Sequence, residues 1–201
     1  MANELDYMEY ANDGTAQAAY VTDGGYGSDF LTGGTASGDS EFGGFVASNA
    51  VDGNTGTYWH SDNSGFSHWW KYDLGAGVTK IASKIRIYPR EYDGVSAIKD
   101  FTIQGSNNDS SWTTLHTGQH TNAIAWEDFV FSNSTEYRYY KIEITSIWSG
   151  SDNYTIISEI EMMELSLESY SESSIKTQGS YSLKGIGLIT VSLNETLTKT
   201  F

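Results

Sequence analysis

The chain of 201 residues contains no cysteine. Disulfide bonds, thiolate metal sites and thiol nucleophiles are therefore excluded together, and stability has to come from a core and from bound ions. Basic residues are also scarce, with 11 Lys and Arg against 26 Asp and Glu and a formal net charge of −15. Such an acidic chain repels phosphate groups, which argues against nucleic acid and anionic membrane surfaces as partners.

Long apolar segments are missing as well. No stretch approaches the roughly 20 apolar residues that a membrane-spanning helix needs, so we expect no membrane span. The first ten residues contain neither the basic nor the apolar segment of a secretory signal. The length allows one well-cored domain together with additional segments.

The texture of the sequence is that of an all-β protein. One proline, 21 glycines and short aromatic or β-branched runs, separated by clusters of Gly, Asn, Asp and Ser, are typical of a β-sandwich. Segments 80–88 and 137–147 alternate between apolar and polar residues with a period of two, as half-buried strands require. In the second segment, Tyr140, Ile142 and Ile144 share one face.

Four motifs follow one another in the middle of the chain: 49–59 (NAVDGNTGTYW), 70–75 (WKYDLG), 105–107 (GSN) with Trp112, and 137–140 (YRYY) closing on 158–160 (SEI). In this order they resemble the discoidin family, also called coagulation factor 5/8 type C domains, and the similar family-32 carbohydrate-binding modules. The resemblance implies an all-β, antiparallel, jelly-roll-like β-sandwich of the discoidin type over residues 30–165. We predict that the motif residues Trp59, Trp70 and Trp112 belong to its core.

Two flanks, residues 1–29 and 166–201, lie outside the motifs but also look strand-forming. Residues 179–184 (GSYSLK) resemble an early strand of laminin-G-like or carbohydrate-module jelly rolls. Because neither flank alone can bury a core, we predict that the N-terminal flank is a strand of a second, incomplete β-sandwich and that the C-terminal flank pairs with it. We expect the chain to be part of a larger multidomain protein, outside the cell or at its surface.

The first motif suggests a site for a hard cation. Asp52, a turn permitted by Gly53 and the hydroxyl of Thr57 can wrap one loop around an ion that prefers oxygen ligands. The resemblance implies a structural calcium ion and a second carboxylate from Glu159. By resemblance, the ligands are the side chains of Asp52, Thr57 and Glu159 and the backbone oxygens of Asn49, Asn54, Thr57 and Ser158. The alternative is an ordinary Asp-Gly turn without metal.

Candidate ligand-binding residues come from the loops. The segments around His60 and Arg90 resemble those from which sugar-binding members of the family project a His and an Arg. The last long loop, residues 147–154, offers Trp148 or Tyr154 as a ring on which a sugar stacks, and Asn153 as a hydrogen-bond donor and acceptor. Residues 91–97 (EYDGVSA) lack the Asn-Gly pair that several members have after the Arg, which argues against a galactose-like specificity.

The resemblance predicts a non-catalytic, lectin-like module that binds glycans or glycoconjugates through loops at one end of a calcium-stabilised sandwich. The alternative is a cell-surface adhesion or assembly module that binds protein. Phe42, Phe45 and Phe66 lie in glycine-rich and serine-rich loops, which keeps a lipid-binding variant open. No constellation of nucleophile and base is recognisable, so no enzyme is predicted; the enzymatic alternative is a small jelly-roll lyase or glycosidase that uses Tyr, His and Arg.

Overall fold

The computed structural model describes residues 5–6, 21–22, 25–62, 65–92, 95–148 and 153–166. The 3-10 helix η1 spans Ala47–Val51. The strands, in chain order, are β1 Leu5–Asp6, β2 Val21–Thr22, β3 Thr35–Gly38, β4 Trp59–His60, β5 His68–Asp73, β6 Lys84–Pro89, β7 Glu91–Tyr92, β8 Val95–Ser96, β9 Asp100–Ser106, β10 Thr113–Gln119, β11 Glu127–Val130, β12 Tyr139–Ile144 and β13 Ile156–Met163.

Two antiparallel sheets form the body of the domain. One has five strands in the order β10-β9-β12-β5-β3, and the other has four in the order β11-β6-β13-β4. Neighbours in the sheets are mostly not neighbours in the chain, as in a jelly roll. Inward-facing side chains of both sheets belong to one hydrophobic cluster, so the sheets pack face to face. The predicted all-β, jelly-roll-like sandwich is confirmed.

The core follows the predicted alternation. Tyr140, Ile142 and Ile144 of β12 are fully buried, and the residues between them are only half-buried. Burial of each such isoleucine contributes about 1.5–3 kcal/mol. Trp59 and Trp70 are fully buried as predicted, and their indole N–H groups donate to backbone carbonyls at 2.9 Å.

The prediction for Trp112 is wrong. This residue is half-buried and lies just before β10, an edge strand of the five-stranded sheet. Lys141, on the outward side of β12, places its Nζ 4.6 Å from the centroid of the indole ring. Trp112 therefore covers the outside of the sheet, where a cation–π contact replaces core packing.

The chain divides into two compact units, Tyr26–Leu165 and a unit composed of Met1–Gly25 and Ser166–Phe201. Within the larger unit, Tyr26 forms a β-bridge with Leu165, so the two ends of the sandwich are paired. Within the smaller unit, β1 pairs antiparallel with β2. The remainder of the predicted second sandwich lies outside the described residues and stays a prediction. Among the described residues, no helix has the length and hydropathy needed to cross a bilayer.

Candidate functional site

The loop between η1 and β4 is closed by its own side chains. The Asn54 N–H donates to Asp52 Oδ1 at 2.9 Å. The Thr57 hydroxyl lies 2.7 Å from Asp52 Oδ2 and 2.7 Å from the Asn54 carbonyl oxygen. Gly53 has a φ of 77°, in the left-handed region that glycine adopts without steric cost. A carboxylate and a carbonyl oxygen thereby lie on either side of the Thr57 hydroxyl, each within hydrogen-bonding distance of it.

Glu159 of β13 reaches this loop from the opposite end of the domain sequence. Only 4% of it is exposed, and its Oε2 accepts the Asn54 N–H at 3.0 Å. Burial, together with the negative charges of Asp52 and Glu161, raises the pKa of Glu159 to about 7, against the lowering effect of the Gly53 and Asn54 N–H groups. The carboxylates of Asp52 and Glu159 thus both accept a hydrogen bond from the Asn54 N–H. A cation bound beside them would reduce the repulsion between their negative charges.

The donor chemistry fits calcium. Ca²⁺ takes six to eight oxygen ligands, and every donor gathered here is an oxygen. Among the described residues, no group of three His, Cys, Asp or Glu side chains could hold a metal, so this ion would depend on two carboxylates with hydroxyl and backbone oxygens. Asn49 lies in η1 with its side-chain amide donating to the Tyr58 carbonyl at 3.0 Å. Ser158 is buried next to Glu159. Their predicted backbone ligation stays a prediction.

His60 ends β4 among aromatic rings. Its ring centroid lies 4.6 Å from that of Tyr154, 5.2 Å from Phe42 and 6.2 Å from Phe45. Its Nδ1 lies 2.5 Å from the Ser61 carbonyl oxygen, which can only accept a hydrogen bond. The neutral imidazole therefore carries its proton on Nδ1, and Nε2 is an acceptor.

Arg90 differs from the other two arginines because its guanidinium has no carboxylate partner among the described residues. Arg86 and Arg138 are both in ion pairs with carboxylates. The Arg90 guanidinium lies 4.3 Å above the Tyr58 ring, which in turn stacks on Phe45 at 4.3 Å. To the other described residues it makes no ion pair and no side-chain hydrogen bond. Its planar N–H groups are held by the ring beneath them and are available to a ligand.

The three predicted residues of the last loop have different positions. Tyr154 is buried, with 7% exposed, and is covered by His60. Trp148 is half-buried and its indole N–H donates to the His120 carbonyl at 2.9 Å. Asn153 is exposed. The described contacts join Tyr154 to His60 and do not join Trp148 to it.

A buried histidine ties two of these loops together. His68 is 1% exposed, with Nδ1 at 2.7 Å from Asp39 Oδ2 and Nε2 at 2.7 Å from the Asn153 carbonyl oxygen. The other oxygen of Asp39 accepts the Trp69 N–H at 3.1 Å. One imidazole thus links the start of the loop that carries Phe42 to the end of the last long loop.

Replacing His68 with alanine is expected to lower the free energy of unfolding by about 2 kcal/mol, because Asp39 and the Asn153 carbonyl lose a buried partner. Urea unfolding followed by tryptophan fluorescence measures this loss. Asp39→Ala, alone and combined with His68→Ala, completes a double-mutant cycle. The double variant should lose less than the sum of the single variants because the two side chains interact directly. Strict additivity would contradict the link.

The sequence model of one protein family, the F5/8 type C domain, matches residues 33–160, well over half of the chain. The chain belongs to the F5/8 type C, or discoidin, family. The predicted resemblance is therefore confirmed.

Known proteins similar to this discoidin domain include an enzyme and two binding modules. The sialidase of Micromonospora viridifaciens is 29% identical over 122 residues, which cover 58% of this chain and only 18% of the sialidase. The family 32 carbohydrate-binding module of Clostridium perfringens NanJ, solved with galactose, is 25% identical with a TM-score of 0.60, covering 69% of this chain and 99% of that one. CpGH89CBM32-5 of Clostridium perfringens, solved with GalNAc-β-1,3-galactose, is 16% identical with a TM-score of 0.60, covering 69% and 100%.

Sequence reasoning missed the residues of this discoidin domain that support the site. Phe45 and Tyr58 form the stack beneath Arg90, and Asp39 forms the link to His68. Asp39 and His68 are 29 positions apart and match no motif, so only the packing of the loops shows that they meet. Tyr58 belongs to the first motif, directly before Trp59, but nothing in the motif indicates that its ring lies beneath Arg90.

Proposed function

We propose that this discoidin domain is a non-catalytic carbohydrate-binding module that binds glycans at the loops carrying His60 and Arg90. The observation that carries the proposal is the Arg90 guanidinium, fixed on Tyr58 and without a carboxylate partner among the described residues of a chain with 26 acidic side chains. An arginine held in this way is positioned to donate hydrogen bonds to a ligand.

The hydrogen-bonding pattern favours hydroxyl groups. Arg90 offers donors only, while the tautomer of His60 with its proton on Nδ1 offers Nε2 as an acceptor. A sugar hydroxyl both donates and accepts, so neighbouring hydroxyls satisfy both side chains. A carboxylate has no hydrogen to give to His60. Two neighbouring sugar hydroxyls therefore suit this pair of side chains better than a carboxylate does.

The relatives support this function and its setting. The NanJ module, which has a similar fold and 25% identity, was solved with galactose. The match to a sialidase covers 18% of that enzyme, as expected for a module within a longer, extracellular protein. A shallow site on one module should bind with millimolar to micromolar dissociation constants, about −4 to −8 kcal/mol, and multivalency would raise the avidity.

We also propose that a structural calcium ion occupies the loop of Asp52, Asn54 and Thr57, with Glu159 as the second carboxylate. The oxygen cluster and the convergence of two carboxylates on the Asn54 amide support it. The ion would supply the charge that neutralises the carboxylates. Because the loop leads directly into Tyr58 and His60, calcium would hold the start of the binding surface in place.

A glycan array probed with the wild-type domain and with His60→Ala tests the function. We expect specific retention of neutral glycans by the wild type, and a loss of at least tenfold in His60→Ala, because the hydroxyl acceptor is removed. Both proteins should have the same far-ultraviolet circular dichroism. A blank array from a folded, calcium-loaded wild type would exclude the proposal and favour the adhesion module that binds protein.

A further inference from the structure

We propose that Phe42, and not Trp148 or Tyr154, is the ring on which the bound sugar stacks. This inference rests on the proposed glycan-binding function and adds to it the residue that recognises the apolar face of the sugar. It follows from the exposure of Phe42, from its attachment to β4 and from the positions of the competing rings.

Phe42 has an unusually exposed aromatic ring. It is 56% exposed, and the only other phenylalanine among the exposed large hydrophobics of the described residues is Phe66, at 38%. Exposure of this much apolar surface costs free energy that a ligand recovers when it covers the ring. The exposed phenyl ring of Phe42 is therefore a suitable place for the apolar face of a ligand to bind.

Backbone hydrogen bonds fix this ring next to His60, the predicted hydrogen-bond acceptor for a sugar hydroxyl. The Phe42 N–H donates to the His60 carbonyl at 2.8 Å, and the His60 N–H donates to the Phe45 carbonyl at 3.1 Å. The loop is thus attached to β4 on both sides of its turn. The Phe42 ring is held 5.2 Å from the His60 ring, with 36° between their planes.

The neighbouring rings are less suitable. Tyr154 is 7% exposed and lies against His60, so its face is already covered. Trp148 donates its indole N–H to a backbone carbonyl and has no described contact with His60 or Arg90. Phe66 meets His68 edge-on at 5.5 Å and likewise has no described contact with either polar residue.

The arrangement specifies the kind of sugar. A pyranose with several C–H bonds on one face can lie on Phe42 while the hydroxyls at its edge reach His60 Nε2 and the Arg90 guanidinium. Phe42 should therefore control affinity for neutral pyranosides, and His60 and Arg90 should control the choice among their hydroxyls.

The test compares the wild type with Phe42→Ala, Phe42→Trp and Phe66→Ala on an array of immobilised galactose, N-acetylgalactosamine, mannose, glucose and fucose. We expect Phe42→Ala to lose roughly tenfold or more in retention, since about 1.4 kcal/mol corresponds to a factor of ten. Phe42→Trp should retain binding, and Phe66→Ala, the matched loop control, should behave as the wild type. Addition of a retained sugar should shift the tryptophan fluorescence of the Phe42→Trp protein beyond any shift in the wild type, a readout that does not require loss of binding.

The experiments distinguish a failure of the role of Phe42 from a failure of the glycan-binding function. Wild-type retention by Phe42→Ala, together with loss in His60→Ala, would overturn the role of Phe42 and leave the glycan-binding function standing. A blank array for the wild type would overturn both. Binding of the wild type to phosphatidylcholine vesicles, lost in Phe42→Ala and accompanied by a blank array, would assign the ring to lipid instead of sugar.

Discussion

Chelation of calcium is expected to lower the free energy of unfolding of the discoidin domain by about 4 kcal/mol, the stabilisation given by an ion present at about a thousand times its dissociation constant. The melting temperature should fall by roughly 10 °C. The physical reason is that Asp52 and the buried Glu159 both accept a hydrogen bond from the Asn54 N–H. Their negative charges therefore lie close together and repel each other when no cation neutralises them. Differential scanning calorimetry at about pH 8, with calcium and with EDTA, measures the difference.

Glu159→Gln separates calcium binding from ordinary packing. In calcium the variant should be less stable than the wild type, because it has lost a charged ligand. In EDTA the order should reverse or vanish, because the amide removes the repulsion from Asp52 while keeping the shape of the side chain. Asp109→Asn is the matched control: its carboxylate pairs with Lys71 at 2.7 Å outside this loop, and its response to calcium should equal that of the wild type.

If EDTA leaves the melting temperature of the wild type unchanged, the loop is an ordinary Asp-Gly turn without metal, which is the alternative given in the sequence analysis. Equal destabilisation of Glu159→Gln in calcium and in EDTA would also contradict the ion, because it would show that only the native hydrogen bonds to the carboxylate matter. Isothermal titration with calcium chloride provides an independent measurement.

The fold could be predicted because alternation and motif order are local properties of the chain. Burial of Tyr140, Ile142 and Ile144 follows from a period of two, and the sandwich follows from the order of four motifs. Alternation says which face a side chain occupies but not whether its strand is central or at an edge. Membership of a motif gives no information on this point either, and the motif is what led to the wrong prediction of a core position for Trp112, which lies beside an edge strand.

The candidate site was less accessible to sequence reasoning because its contacts join distant residues. Asn54 meets Glu159 across 105 positions, and only the family resemblance pointed to that carboxylate. Resemblance likewise pointed to His60 and Arg90 but gave no information on which ring lies next to them. That depends on how the loop of Phe42 hydrogen-bonds to β4, a property of the folded loop and not of any spacing.

Arg90→Ala is expected to reduce glycan affinity by a factor of about ten to a hundred, since hydrogen bonds to a charged group contribute about 1.5–3 kcal/mol. Affinity electrophoresis in gels containing the glycan identified on the array measures the change. Arg86→Ala is the matched control, because Arg86 also lies over an indole ring, that of Trp126 at 4.5 Å, but donates to Asp128 and Glu161. That variant should lose some stability and keep its affinity.

Arg90→Lys distinguishes geometry from charge. Lysine keeps the positive charge but replaces the planar fork stacked on Tyr58 with a single ammonium group on a flexible chain. If Arg90 reads two neighbouring hydroxyls through its fork, Arg90→Lys should bind almost as weakly as Arg90→Ala. Full rescue by lysine would mean that charge alone matters, which would favour recognition of a sugar carboxylate over the sugar hydroxyls proposed for this site. Unchanged affinity in Arg90→Ala would remove the residue from the site altogether.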